Sequence, residues 1–98
     1  MLAIIDYGAG NLRNVAMAFR RLGVPATVTA DPAQIARASS LVLPGVGSFG
    51  DAMANLRAHR LDAPLVAALR DGVPFLGICV GMQVLFEVGE EMGEHRGL

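Results

Sequence analysis

The sequence predicts an α/β fold, a parallel β-sheet with helices on both faces. Three observations carry that prediction. Apolar runs of strand length alternate four times with segments of helical spacing. The first run, residues 2–6, stays apolar up to Asp6 instead of alternating, as a strand covered on both faces requires. Glycine-bearing turns follow three of the four runs, and strands alternating with helices imply parallel pairing through right-handed crossovers.

After the first strand comes the turn Tyr7-Gly8-Ala9-Gly10. Asn11 is placed to cap a helix reaching about residue 22, whose apolar positions Leu12, Val15, Ala16, Phe19 and Leu22 keep one face. Gly23 stops it. A second strand is expected at about 26–29. Asp31 and Pro32 then open a short helix to about residue 38, the Asp as cap and the Pro in the first turn. The third strand, 40–43, runs into Pro44-Gly45-Val46-Gly47. Ser48 and Asp51 have capping-box spacing for a helix over about 49–58. Asp62 is expected to cap a further helix over about 63–70, with Gly72 as its stop. The fourth strand is expected at 73–78. Cys79 ends it, and a helix to about residue 86 begins at once.

Composition limits the functions available. Ninety-eight residues with 53% hydrophobic content suit one small globular domain. The uninterrupted apolar runs are only a few residues long, so no membrane span is expected. The chain opens directly on a strand pattern, so no secretory signal is expected and a cytoplasmic location follows. Net charge is −1, and all eight basic residues are arginines without a basic cluster, which gives nucleic-acid binding no electrostatic support. The four glutamates all fall in residues 87–98 and read as a solvated face. A single cysteine excludes an internal disulfide and a cysteine-rich zinc site. No glycine loop has Walker spacing, and no cofactor is expected.

The chemistry is concentrated in Gly77-Ile78-Cys79-Val80-Gly81. A residue placed between strand and helix with no intervening loop takes a cramped backbone conformation, and glycines two before and two after relieve the crowding. This is the logic of the Gly-x-Ser-x-Gly elbow with sulfur in place of oxygen. The elbow lifts the side chain into the cleft, and the helix N-terminus favours the reactive thiolate. The Val80 amide faces the same space and is a candidate oxyanion donor. The glycines of Pro44-Gly45-Val46-Gly47 let a backbone approach a ligand closely and point amides at it. Ligands bind beyond the carboxyl ends of strands in such sheets. The three special strand ends are therefore expected on one rim.

Three segments together resemble the glutamine amidotransferase subunit of imidazole glycerol phosphate synthase, within the class I (triad) amidotransferase family: Tyr7-Gly8-Ala9-Gly10-Asn11-Leu12, Pro44-Gly45-Val46-Gly47-Ser48-Phe49-Gly50, and Gly77-Ile78-Cys79-Val80-Gly81-Met82-Gln83. The resemblance implies a flavodoxin-like sheet, with residues 1–98 the N-terminal part of a single, apparently truncated glutaminase domain. It implies that Cys79 attacks the glutamine carboxamide. Val80 and the Gly45, Val46 and Gly47 backbone would form the oxyanion hole, completed by a peptide flip when the synthase partner is primed. Gln83 and Glu91 would contact substrate glutamine, and Asn11 would lie at the partner interface. That partner would be a (β/α)8-barrel synthase subunit receiving ammonia in histidine biosynthesis. The family's general base lies in a Pro-x-His-x-Glu motif that these residues do not contain. His59 and His95 read as ordinary surface histidines, so the chain alone is expected to be inactive.

Two other readings stay open: a non-catalytic docking fragment, and a flavodoxin-like small-molecule binding domain with an incidental cysteine turn. Asp6 and Tyr7 read first as turn and cap residues near the rim. Met17, Met53 and Met82 read as core filler. The sheet edge beyond the fourth strand is expected to be open.

Overall fold

The structure, a computed structural model, describes residues 1–8, 11–86, 88–89 and 95–98. Four strands form a parallel sheet: β1 (Leu2–Ile5), β2 (Thr27–Thr29), β3 (Ser40–Leu43) and β4 (Phe75–Gly77), in the spatial order β2-β1-β3-β4. The helices are α1 (Leu12–Arg21), α2 (Pro32–Ala36), α3 (Phe49–Ala58), α4 (Asp62–Arg70) and α5 (Val80–Gln83). This is an α/β fold of the expected flavodoxin-like kind. The chain steps from β1 to β2 in one direction and then back across β1 to β3 and β4. Right-handed crossovers therefore put α1 on one face and α2, α3 and α4 on the other.

The two faces are filled differently. Ala3, Ile5, Leu41 and Leu43 belong to the main core, together with Ile35 of α2, Ala52, Met53 and Leu56 of α3, and Leu65 and Ala68 of α4. On the opposite face the register aligns Val28, Ile4, Val42 and Leu76 in one row across the sheet. Ile4 and Val42 are buried in the middle of the row, while Val28 and Leu76 at its ends are 42% and 51% exposed. No residue of α1 is fully buried. β4 is an edge of the sheet among the described residues, as expected.

Helix ends follow the residue chemistry. Asn11, Asp31 and Ser48 cap α1, α2 and α3, their side chains accepting from the amides of Asn14, Ala33 and Asp51. Gly23 and Gly72 end α1 and α4 with positive φ, each closed by paired backbone hydrogen bonds of the Schellman type. α3 closes in the same way on Arg60 at φ 59°, where the sequence offers no glycine.

Asp62 does not cap α4; Leu61 stands at that position without a side-chain bond, and Asp62 is the first helical residue. α2 closes at Ala36 rather than residue 38, because the Arg37 amide already bonds back to Gln34. β4 is shorter than expected, and α5 ends at Gln83 rather than near residue 86, because Leu85 and Phe86 close tight turns onto Met82 and Gln83. Met53 is core, but Met17 and Met82 are 41% and 45% exposed. A short antiparallel pair, β5 (Val88–Gly89) and β6 (His95–Arg96), forms where no strand is expected from the sequence. That pair folds back on α3: Gly89 and Gly97 lie against the Phe49 ring, Arg57 donates to the Arg96 carbonyl at 3.1 Å, and Leu98 donates to Val84 at 2.7 Å.

Candidate active site

Strand order reverses between β1 and β3, and ligands in open α/β sheets bind beyond the carboxyl ends of the strands at such a switch point. The described residues of the three special segments meet on that rim. Tyr7, just after β1, donates its hydroxyl to the Pro44 carbonyl, just after β3, at 2.7 Å. The Ile78 amide donates to Leu43 at 3.0 Å, which carries the β3–β4 pairing up to the cysteine turn.

Cys79 is exposed, with φ 56° and ψ −122°. These are the angles of the first central position of a type II′ turn, and the Gly81 amide closes the turn onto the Ile78 carbonyl at 3.0 Å. A residue with a Cβ in this region stores strain of about 1–3 kcal/mol, which persists only where the surroundings impose it. The surroundings here are close packed backbone. A Cβ added at Gly77 would lie 2.6 Å from the Met82 Cα, and one at Gly81 would lie 1.9 Å from the Leu43 carbonyl oxygen. Neither glycine is at positive φ among the described residues. They are required by close approach and not by backbone conformation. The sharp elbow read from the sequence is therefore present, and the end of β3 is what holds it.

The Pro44-Gly45-Val46-Gly47 loop lies against the turn. Pro44 and Gly45 are buried, while Val46 is 62% exposed and Gly47 has φ 98° with open space where a Cβ would stand. A Cβ on Gly45 would meet the Tyr7 hydroxyl at 2.1 Å and Val80 Cγ1 at 2.5 Å. The Val80 amide donates to the Gly45 carbonyl at 3.3 Å. In this conformation the Val80 amide is engaged within the loop, and its bond is long for a neutral N–H donor.

The remaining sequence candidates are spread around the rim. Gln83 is exposed, one turn along α5 from Cys79. Asn11 is exposed and spends its side-chain oxygen on the α1 cap. Glu91 lies outside the described residues. His59 follows α3, its Nδ1 2.8 Å from the Asn55 carbonyl oxygen. Asp6 accepts from the Gly8 amide at 3.3 Å within its own turn. Tyr7, expected as a turn residue near the rim, belongs instead to the buried core and bonds the loop. It is fully buried under the loop, and burial pushes its phenol up to about 12. A lone tyrosine ending an apolar strand beside a glycine was the available signal.

No set of three metal-ligating side chains converges among the described residues, and no helix among them is long and apolar enough to cross a membrane. A groove of about 860 Å³ opens along α1 and the chain leading to β2, away from the cysteine turn.

The model of the class I glutamine amidotransferase family matches residues 3–95. The chain belongs to that family. It is 56% identical over all 98 residues to the imidazole glycerol phosphate synthase subunit HisH of Desulfitobacterium hafniense strain Y51, covering 46% of that protein. Against the HisH subunits of Salinibacter ruber and Lactiplantibacillus plantarum the identities are 54% and 53%, covering 45% and 47% of those chains. The chain thus spans just under half the length of these relatives. The match runs through the elbow, so the strained cysteine sits within the region shared with HisH.

Proposed function

We propose that the chain is the N-terminal part of a single glutaminase domain, in the glutaminase subunit of a cytoplasmic imidazole glycerol phosphate synthase. The carrying observation is the exposed Cys79 at positive φ, held on the switch-point rim against a glycine loop. An incidental cysteine would relax to an ordinary turn conformation; this one is wedged by backbone on both sides. The likeness to HisH subunits along the whole chain supports the substrate and the pathway.

The Cys79 sulfur attacks the carboxamide carbon of glutamine, and the carbonyl π electrons move to oxygen. Collapse of the tetrahedral adduct breaks the C–N bond, and the nitrogen leaves as ammonia once protonated. Water then cleaves the thioester to glutamate and restores the thiol. The oxyanion needs donors in place, and removing one such donor costs on the order of 10²–10³-fold in rate. The Val80 amide and an amide of Gly45, Val46 or Gly47 are the proposed donors, so the bond from Val80 to the Gly45 carbonyl must first be released. Gln83 and Glu91 are proposed to contact glutamine. Asn11, at the exposed start of α1, is proposed to face a (β/α)8-barrel partner that takes up the ammonia.

The proton carrier is expected from a Pro-x-His-x-Glu motif that these 98 residues lack. Hydrolysis by the 98 residues alone is therefore proposed to be very slow, although Cys79 would still react with a good electrophile. The test uses the complete gene product assembled with its synthase subunit and treated with a diazoketone analogue of glutamine. Mass spectrometry should find the adduct on Cys79, with glutaminase activity lost in step. An adduct elsewhere, or activity surviving full modification of Cys79, would remove the assignment.

A further inference from the structure

The oxyanion loop divides into a fixed and a free half. In the fixed half, the Pro44 carbonyl accepts from the buried Tyr7 hydroxyl at 2.7 Å, and Gly45 is pressed between that hydroxyl and Val80. In the free half, Val46 is largely exposed and a Cβ added at Gly47 would meet nothing within 4 Å. The boundary falls at one peptide unit, Gly45–Val46, whose carbonyl accepts from the Val80 amide at 3.3 Å. Turning over that single unit would release the Val80 amide and carry the Val46 amide toward the same side.

We infer that Tyr7 is a positioning residue for this loop. Its hydroxyl holds the Pro44–Gly45 peptide still, which confines reorganisation to Gly45–Val46. The role is indirect, since Tyr7 is fully buried beneath the loop. Without the hydroxyl the Pro44 carbonyl has no such anchor, and the loop samples arrangements in which the Val80 amide and the loop amide do not converge. Burial of the neutral phenol is consistent with a purely donating role. The inference rests on the glutaminase reading for its catalytic consequence and on geometry alone for the anchoring.

The test replaces Tyr7 by Phe in the complete gene product with its synthase subunit. For glutamine hydrolysis, kcat should fall about tenfold with KM within about twofold, since the loss falls on transition-state donors. Alkylation of Cys79 by iodoacetamide should be unchanged, because that reaction needs no oxyanion hole. By amide hydrogen exchange, the Val80 amide should exchange about tenfold faster while the amides of Ile4 and Val42 in the sheet keep their protection. Gly45→Ala, which drives a Cβ against the Tyr7 hydroxyl, should reproduce both effects and serves as the second variant if Tyr7→Phe folds poorly. Unchanged Val80 exchange, or equal acceleration at Val80 and in the sheet, would overturn the anchoring. Unchanged kcat in an active complex would overturn the positioning role. A wild-type complex without glutaminase activity would sink the functional reading instead, and the exchange measurement would still decide the anchor.

Discussion

Gly81→Ala is the sharpest probe of the cysteine elbow. The added methyl would sit 1.9 Å from the Leu43 carbonyl oxygen, 2.8 Å from its carbon and 3.3 Å from the Pro44 carbonyl carbon. The closest approach is about 1.5 Å short of ordinary contact, and all three atoms are backbone. No rotamer relieves the overlap, so the first turn of α5 must move away from the end of β3. Three hydrogen bonds cross or border that seam: Ile78 to Leu43 at 3.0 Å, Val80 to Gly45 at 3.3 Å and Gly81 to Ile78 at 3.0 Å. Overpacking of this kind costs about 1–3 kcal/mol, and each weakened bond adds about 1 kcal/mol. With three bonds weakened, the expected destabilisation is therefore about 4–6 kcal/mol, exceptional for a single methyl. Gly81 is not at positive φ, so the backbone term alone would favour Ala by about 0.4–1 kcal/mol, and any loss is steric. Urea unfolding of the complete protein gives the stability change, and the rate of Cys79 alkylation reports the elbow. Gly47→Ala is the control, with φ 98° and open space around it, and should cost only about 1 kcal/mol. If Gly81→Ala stayed within about 0.5 kcal/mol of the parent with unchanged alkylation, the packing account of the elbow would be wrong.

Cys79→Gly should stabilise the protein by about 1 kcal/mol in the same unfolding assay while abolishing glutamine hydrolysis, because glycine accepts φ 56° without strain; a destabilised variant would mean the elbow stores no strain. Arg60→Gly should also stabilise by about 1 kcal/mol, since Arg60 holds the left-handed position that closes α3, and thermal melts would show it. Tyr7 should ionise near 12 in the native chain and near 10.0 in urea, read by tyrosinate absorbance of the single tyrosine in these 98 residues. Because the unfolded phenol gives up its proton first, this contribution to stability is intact below pH 10.0 and falls away as pH rises through about 12. The loss is on the order of 2 kcal/mol, and Tyr7→Phe should lack it; a native midpoint near 10.0 would show the hydroxyl to be open to solvent.

Local chemistry was legible where one residue type solves one backbone problem. Asn11, Asp31 and Ser48 were readable as caps because each accepts from an amide two or three residues on. Gly23 and Gly72 were readable as stops, and α3 shows the limit of that rule. Its end has the same bonding pattern with arginine in place of glycine, so the stop left no mark in composition. Asp62 failed for the opposite reason: a good capping residue was present one position too late, and packing of Leu61, fully buried, set the register of α4 instead. The β5–β6 pair went unseen because each strand has only two residues and is held by contact with Phe49 and Arg57 far away in sequence.

By itself the sequence determined the alternation of strands and helices, the parallel sheet, and a cysteine between two glycines at a strand end. These follow from periodicity and from the few residues that tolerate tight turns, both of which act over a handful of neighbours. Only the tertiary structure decided why those glycines are needed and that the buried Tyr7 hydroxyl bonds the Pro44 carbonyl at the head of the Pro44-Gly45-Val46-Gly47 loop. The Gly81 requirement and the Tyr7 bond depend on the chain after β1, the end of β3 and the start of α5 coming together across gaps of more than thirty residues. Periodicity and turn propensity carry no information about distance at that range.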